Sequence, residues 1–210
     1  MDWNVHKNVE GRHAFLSPSQ YSWIRKSDSE LKDAKLNSYA TTIGTLVHNY
    51  AETCIRFKEE LCDSDIRMVR LDLLRNGIPA EAIDIQFIFP TLMRYVNDSI
   101  AFGMDPEVVL YYSDNCFGTT DAIQFRRKHL RIHDLKTGLS PAKIDQLMIY
   151  AALFYLEYGY KPESIHTELR IYQAGDILLC EPSAAEVREV MGAIVNADRV
   201  LSEMFPKSES

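Results

Sequence analysis

The chain has 210 residues, 46% hydrophobic and 25% charged, which suffices for one soluble domain with a sizeable core. Its 23 basic and 30 acidic residues leave a formal net charge of −7, which argues against a nonspecific nucleic-acid coat but leaves room for a local basic groove. The N-terminal stretch lacks the apolar segment of a signal peptide, and the longest apolar run, LMIYAALFYL, is too short to span a bilayer.

In chain order, Ser17 and Pro18 give a helix-start signal. Over 41–61, Ile43, Leu46, Val47, Tyr50, Ala51, Cys54, Phe57 and Leu61 recur at three- and four-residue steps, which predicts a helix. A second helix is expected over 65–77, closed by Gly77. A third is expected over 79–103, bent or broken near Pro90, whose nitrogen cannot donate. From Glu107 the texture changes. EVVLYYS, GTTDAIQFRR and HLRIHDLKT read as three consecutive strands. A strongly apolar helix follows from Ser140, its expected N-cap. SIHTELRIYQAG and DILLCEPS read as two short strands about a turn at Gly175, before a final helix over 183–204 and a frayed tail over 205–210. The pattern predicts a single α/β (α+β) domain over 1–210, with its motifs in a core over about 41–182 and a helical N-terminal half.

Taking Arg127 and Lys128 as a two-residue turn puts Asp121 opposite Asp134 and Thr119 opposite Lys136. One hairpin face is then apolar near the turn and charged at its far end. The other carries Gln124, Arg126, His129, Arg131 and His133 and reads as polar, so His129 and His133 are expected at the surface. Two facing carboxylates on a half-buried sheet repel, and burial pushes a proton onto one of them. A divalent cation removes the conflict, and oxygen ligands suit magnesium or manganese. A lysine beside such a pair suits phosphodiester hydrolysis, because its ammonium offsets charge on the reacting oxygens. The cluster RRKHLR over 126–131 reads first as a solvated hairpin tip. Cys54, Cys62, Cys116 and Cys180 form no CxxC pair, which fits a reduced, intracellular protein better than a disulfide scaffold or zinc site.

Four segments in order, GTLVHNYAE, GTTD, DLK and QLMIY, resemble the motifs of the PD-(D/E)XK nuclease superfamily, most closely its RecB-like and phage exonuclease branch. The resemblance covers about residues 41–155, with Thr120 where the signature has proline. It implies a restriction-endonuclease-like core, a mixed sheet flanked by helices. It implies magnesium or manganese held by His48, Asp121, Asp134 and the backbone carbonyl of Leu135, with Glu52, one helical turn past His48, as a further candidate. It implies Lys136 as the residue that positions or activates water, with Gln146 and Tyr150 near the scissile strand. The cysteines lack the clustering of branch members that carry an iron–sulfur cluster, so none is expected. DNA is the implied substrate, with Arg126, Arg127, Lys128, Arg131 and Lys143 as candidate contacts. The implied setting is the cytoplasm of a bacterial or phage-infected cell, with any recombination or helicase partner on a separate chain. A non-catalytic nucleic-acid-binding or interaction protein on the same fold is the alternative. The intact Asp121, Asp134 and Lys136 favour the enzyme; the acidic net charge favours the alternative.

Overall fold

The computed structural model describes residues 4–9 and 13–205; of the tail expected over 205–210, residues 206–210 lie outside the described residues. Among the described residues, six α-helices and five strands are interspersed with short 3-10 helices, one of them at Pro18–Arg25 where a helix start was expected.

Local chemistry accounts for the helix ends. Before α1 (Asp28–Asn37), the Ser27 side chain accepts from the Glu30 amide, and the Glu30 carboxylate accepts from the Ser27 amide. The same reciprocal cap, Ser183 with Glu186, opens α6 (Ala184–Met204). α2 (Ala40–Phe57) buries the stripe Ile43, Val47, Ala51, Cys54 and Ile55, as its periodicity predicts. α3 (Ile66–Arg75) is followed by Gly77 in a left-handed conformation. α4 (Ile85–Phe102) runs unbroken through Pro90; the interruption falls earlier, where the Asp84 side chain caps the Phe87 amide. An internal proline costs a helix roughly 3 kcal/mol, but here Ile88, Phe89, Leu92, Tyr95 and Val96 are all buried on its face and offset that cost.

The strands are β1 (Asp105–Ser113), β2 (Cys116–Arg126), β3 (His129–Lys136), β4 (His166–Gln173) and β5 (Asp176–Cys180). They form one sheet in the order β1-β2-β3-β4-β5, parallel only between β3 and β4. α5 (Asp145–Tyr158) connects that parallel pair. The β2–β3 register runs from Arg126↔His129 to Ala122↔His133, as expected. Arg127 and Lys128 both have positive φ, 52° and 61°, the geometry of a two-residue primed turn, although neither is a residue that favours it.

The fold has three layers. α2, α3 and α4 pack on one sheet face, over Ala122, Leu135 and Tyr172. α5 and α6 cover the other, over Leu110, Ile123, Leu130, Ile132, Leu169 and Ile171. β3 is therefore buried from both sides. This corrects two expectations. The hairpin face read as polar is covered: Thr120, Ala122, His133 and Leu135 are all buried. Most of its polar side chains meet protein partners instead of water, although His133 Nε2 is buried without a hydrogen bond. Gln124 donates to the Phe102 carbonyl, Arg131 and Arg170 lie over the Phe102 ring, and both pair with Glu168. His133 is accordingly a core residue, and His129 is only partly exposed.

α5 also starts later than expected, at Asp145, and Ser140 is not its cap. Pro141 disfavours helix at Ser140. The β4 residue Gln173 holds the intervening loop: its amide donates to the carbonyls of Gly138 and Ser140, and its oxygen accepts from the Ala142 amide. Among the described residues, no helix is long and apolar enough to cross a membrane.

Candidate metal centre

The site sits where the β2–β3 ladder ends. The pairing stops at Ala122↔His133, and the next residue of β2, Asp121, uses its side chain instead: Oδ2 accepts from the Leu135 amide at 2.8 Å. That bond aims the other oxygen, Oδ1, at His48 Nδ1 of α2, 3.4 Å away. Gly44, one turn earlier on α2, lets the helix approach: a Cβ there would lie 3.2 Å from the Thr137 hydroxyl that follows β3.

Asp134 lies deeper, its side chain 3% exposed. Lys136 Nζ stands 3.0 Å from each of its oxygens and 3.0 Å from Gln146 Oε1 on α5. The Gln146 amide in turn donates to the Tyr150 hydroxyl at 3.4 Å. Asp134, Lys136, Gln146 and Tyr150 thus form one polar chain from the sheet to a helix face. Tyr150 lies flat against β2 at Gly118, where a Cβ would come within 2.9 Å of its ring. Gly118→Ala is expected to displace Tyr150 and lower stability by about 1–3 kcal/mol, the usual cost of overpacking. Urea unfolding of the variant checks this, and unchanged stability would show that Tyr150 moves aside without cost.

The electrostatics of the site are dominated by burial and by two neighbouring carboxylates. Burial, and then the charge of Asp121, push Asp134 up to about 6, although Lys136 and His48 pull the other way. Asp134 Oδ2 is buried and has no hydrogen bond of acceptable geometry, despite its nearness to Lys136. At His48, burial opposes the charged ring, but the Asp121 contact and the charges of Asp121 and Asp134 outweigh it, so its pKa is raised. A buried carboxylate with one oxygen free of hydrogen bonds, a second, partly buried carboxylate and an imidazole drawn to it form a donor set suited to a hard divalent cation.

Two of the expected ligand features differ. Glu52 gives its carboxylate to Arg56, 2.7 Å away on the same helix. The additional carboxylate near the site comes from Glu107 on β1. Ligand atoms of Glu107, His48 and Asp121 all lie within 4.8 Å of one another. Glu107 falls between the pairs Pro106↔Ala122 and Val108↔Thr120, beside Asp121, and has a left-handed φ of 53° inside a strand. Burial raises its pKa, and the charges of Asp121 and Glu52 raise it further. A non-glycine residue in that conformation carries strain of about 1–3 kcal/mol, a cost seen most often at functional sites. At Leu135, the backbone group that meets a site side chain is the amide; the expected carbonyl makes no such contact among the described bonds.

The basic candidates separate. Arg126, Arg127 and Lys128 are exposed at the hairpin turn. Along β2 that turn is about 17 Å from Asp121, at roughly 3.4 Å per residue. Arg131 is no free contact: it pairs with Glu168 at 3.3 Å and packs on Phe102. Lys143 lies exposed on the loop between Lys136 and α5. No protein-family model, curated protein or solved structure matches this chain.

Proposed function

We propose that this chain is a magnesium- or manganese-dependent DNA nuclease that hydrolyses phosphodiester bonds, an exonuclease of bacterial or phage recombination or repair working in the cytoplasm. One observation carries the reading: a lysine ammonium held 3.0 Å from both oxygens of a buried carboxylate, beside a second carboxylate and a histidine. The resemblance of the motif residues to the RecB-like nucleases supports it and supplies the choice of DNA and of end-directed cutting.

His48, Asp121, Asp134 and the Leu135 carbonyl would hold the ion, with Glu107 a further ligand. When bound, the ion acidifies a water and draws charge from a phosphate oxygen. The protein's own groups do the rest. Lys136 orients the water and donates to the phosphate oxygens as their charge grows. Gln146 fixes the ammonium from the far side and, with Tyr150, presents a polar face to the strand. Asp121 ties the ion site to the β3 backbone through the Leu135 amide, so the ligands and the lysine keep one frame. Lys143 is the basic residue best placed to meet the phosphate backbone beyond the cut. A recombination or helicase partner would act from a separate chain.

The test is direct. Purified protein is incubated with magnesium or manganese and with linear and circular DNA labelled at either end. Loss of label from linear DNA alone is the expected result. In calorimetry, the Asp121→Ala/Asp134→Ala double variant should lose manganese affinity. Retained DNA binding without cleavage under either metal would overturn the enzyme reading in favour of a binding protein on this fold.

A further inference from the structure

At the opposite end of β3, next to the hairpin turn, a second group of ligating side chains is built across β3 and β4. His129 starts β3 and His166 starts β4, and the parallel register sets them directly opposite each other. Their rings lie 4.5 Å apart, centroid to centroid, at 76°. Glu168, two residues along β4 and on the same face, turns Oε2 toward His129 Nε2 at 3.6 Å. Beyond the end of β5, the Glu181 carboxylate stands 3.3 Å from His166 Nε2. One ligand atom from each of His129, His166 and Glu168 falls within 4.8 Å of the others.

We propose that His129, His166 and Glu168 form a second cation site, for a transition ion such as zinc, that ties together the starts of β3 and β4. The carboxylate is already prepared as a ligand. Glu168 is 9% exposed, and Arg170 and Arg131 approach its other oxygen, Oε1, at 2.9 and 3.3 Å. They fix Oε2 where it faces His129, as outer partners orient metal-bound carboxylates. His129 Nε2 is buried and makes no hydrogen bond. Its 3.6 Å gap to Glu168 is too long for one, but close to the spacing of about 3.3 Å that two ligands keep around tetrahedral zinc at 2.0–2.1 Å. His166 is half exposed, so an ion can enter, and Glu181 can supply or support the fourth position.

The local charges decide which ion binds. Glu168 and Glu181 are balanced by Arg131 and Arg170, so simple attraction for any dication is weak. Two imidazoles favour zinc, nickel or cobalt over magnesium, which prefers oxygen and keeps its water. Loading has a local cost. Arg131 now contacts His129 Nδ1 at 3.1 Å; with a metal on Nε2 that nitrogen carries the proton, so Arg131 releases it and keeps Glu168 and Phe102. The site is about 17 Å from Asp134 along β3, at about 3.4 Å per residue, and does not depend on the nuclease reading.

The test uses the full chain carrying Asp121→Asn and Asp134→Asn, so that ions bound at the other site do not count. After chelation, zinc, cobalt and magnesium are titrated separately. One zinc per chain, a rise in melting temperature on binding and the visible bands of tetrahedral cobalt are expected. Magnesium should leave all three readouts unchanged. Removing a ligand should weaken zinc more than the about 10- to 100-fold that follows loss of a ligand's supporting partner. His129→Ala and His166→Ala test this separately, and exposed His166 can be replaced without disturbing the core. Absence of stoichiometric zinc, or zinc affinity in both single-histidine variants equal to that of their parent, would overturn the proposal. So would magnesium binding that those variants abolish.

Discussion

Lys136→Ala is expected to keep its fold, its metal and most of its affinity for DNA, yet to cut on the order of 100- to 1,000-fold more slowly, the usual loss for one preorganised donor. The ammonium sits between Asp134 and Gln146, so it is fixed before substrate arrives and needs no reorganisation as charge develops. Its interaction with phosphate oxygens strengthens as their charge grows, which places the effect on the transition state more than on binding. A purely structural lysine would behave differently. Its side chain is about a third exposed, so loss of a plain ion pair would change stability slightly and the rate hardly at all. Single-turnover cleavage at saturating magnesium separates the two. A rate within about threefold of the parent would remove Lys136 from the chemistry, since a catalytic donor costs far more.

The second large effect is an acid sensitivity centred on His133. Burial holds this imidazole down to about 3, and the charges of Arg170 and Arg131 add to the effect. Its other neighbours are Phe102, edge-on, and the Tyr172 hydroxyl, which is bonded to Asp98. The folded state therefore keeps His133 neutral while the unfolded chain takes up a proton near 6.5. Between those two values the unfolded state binds more protons, so stability falls as pH falls through the window from 6.5 to 3. By pH 5 this one group should cost about 2 kcal/mol relative to pH 7.5. Asp134, raised toward 6, acts with the opposite sign, so total stability against pH does not isolate His133. The comparison with His133→Leu does. That variant leaves Tyr172 bonded to Asp98 and should lose the His133 share of the slope. Urea unfolding at pH 7.5 and pH 5 reads it, and an identical slope in parent and variant would sink the assignment.

These two residues mark how far the sequence could be read. Lys136 was legible because its neighbours alternate with a strict two-residue period, and a hairpin register follows from that period once a turn is chosen. The chosen turn, Arg127-Lys128, is the one the chain makes, with both residues left-handed at a cost their side chains do not reduce. His133 was misread for the same reason. Alternation tells which residues share a face, but not what covers it. Gln124, Arg131 and His133 look solvated in sequence; the cover is Phe102 and the buried Glu168, from elements far along the chain. Glu107 had no local mark at all. It enters the site through its register beside Asp121 and a backbone conformation that glutamate does not favour. The delayed start of α5 follows from three hydrogen bonds made by Gln173, a residue with no sequence signal linking it to that loop.

Those three bonds also determine where the molecule is soft. Gln173 tethers the segment between Lys136 and Gln146 by three amide hydrogen bonds, Ala142 and Ile144 near its end pack on the core, and Leu139 at its tip is 83% exposed. Releasing its exposed part, residues 138–141, uncovers little apolar surface. Its opening therefore has a small heat-capacity change and responds weakly to denaturant, because both scale with the area exposed. The strand before it is buried on both faces and has the opposite character. The two partners that hold the ammonium thus differ: Asp134 sits on a strand buried on both faces, and Gln146 stands in the first turn of α5, next to that loop. Fraying of that first turn would separate Lys136 from Gln146 while Asp134 stays in place.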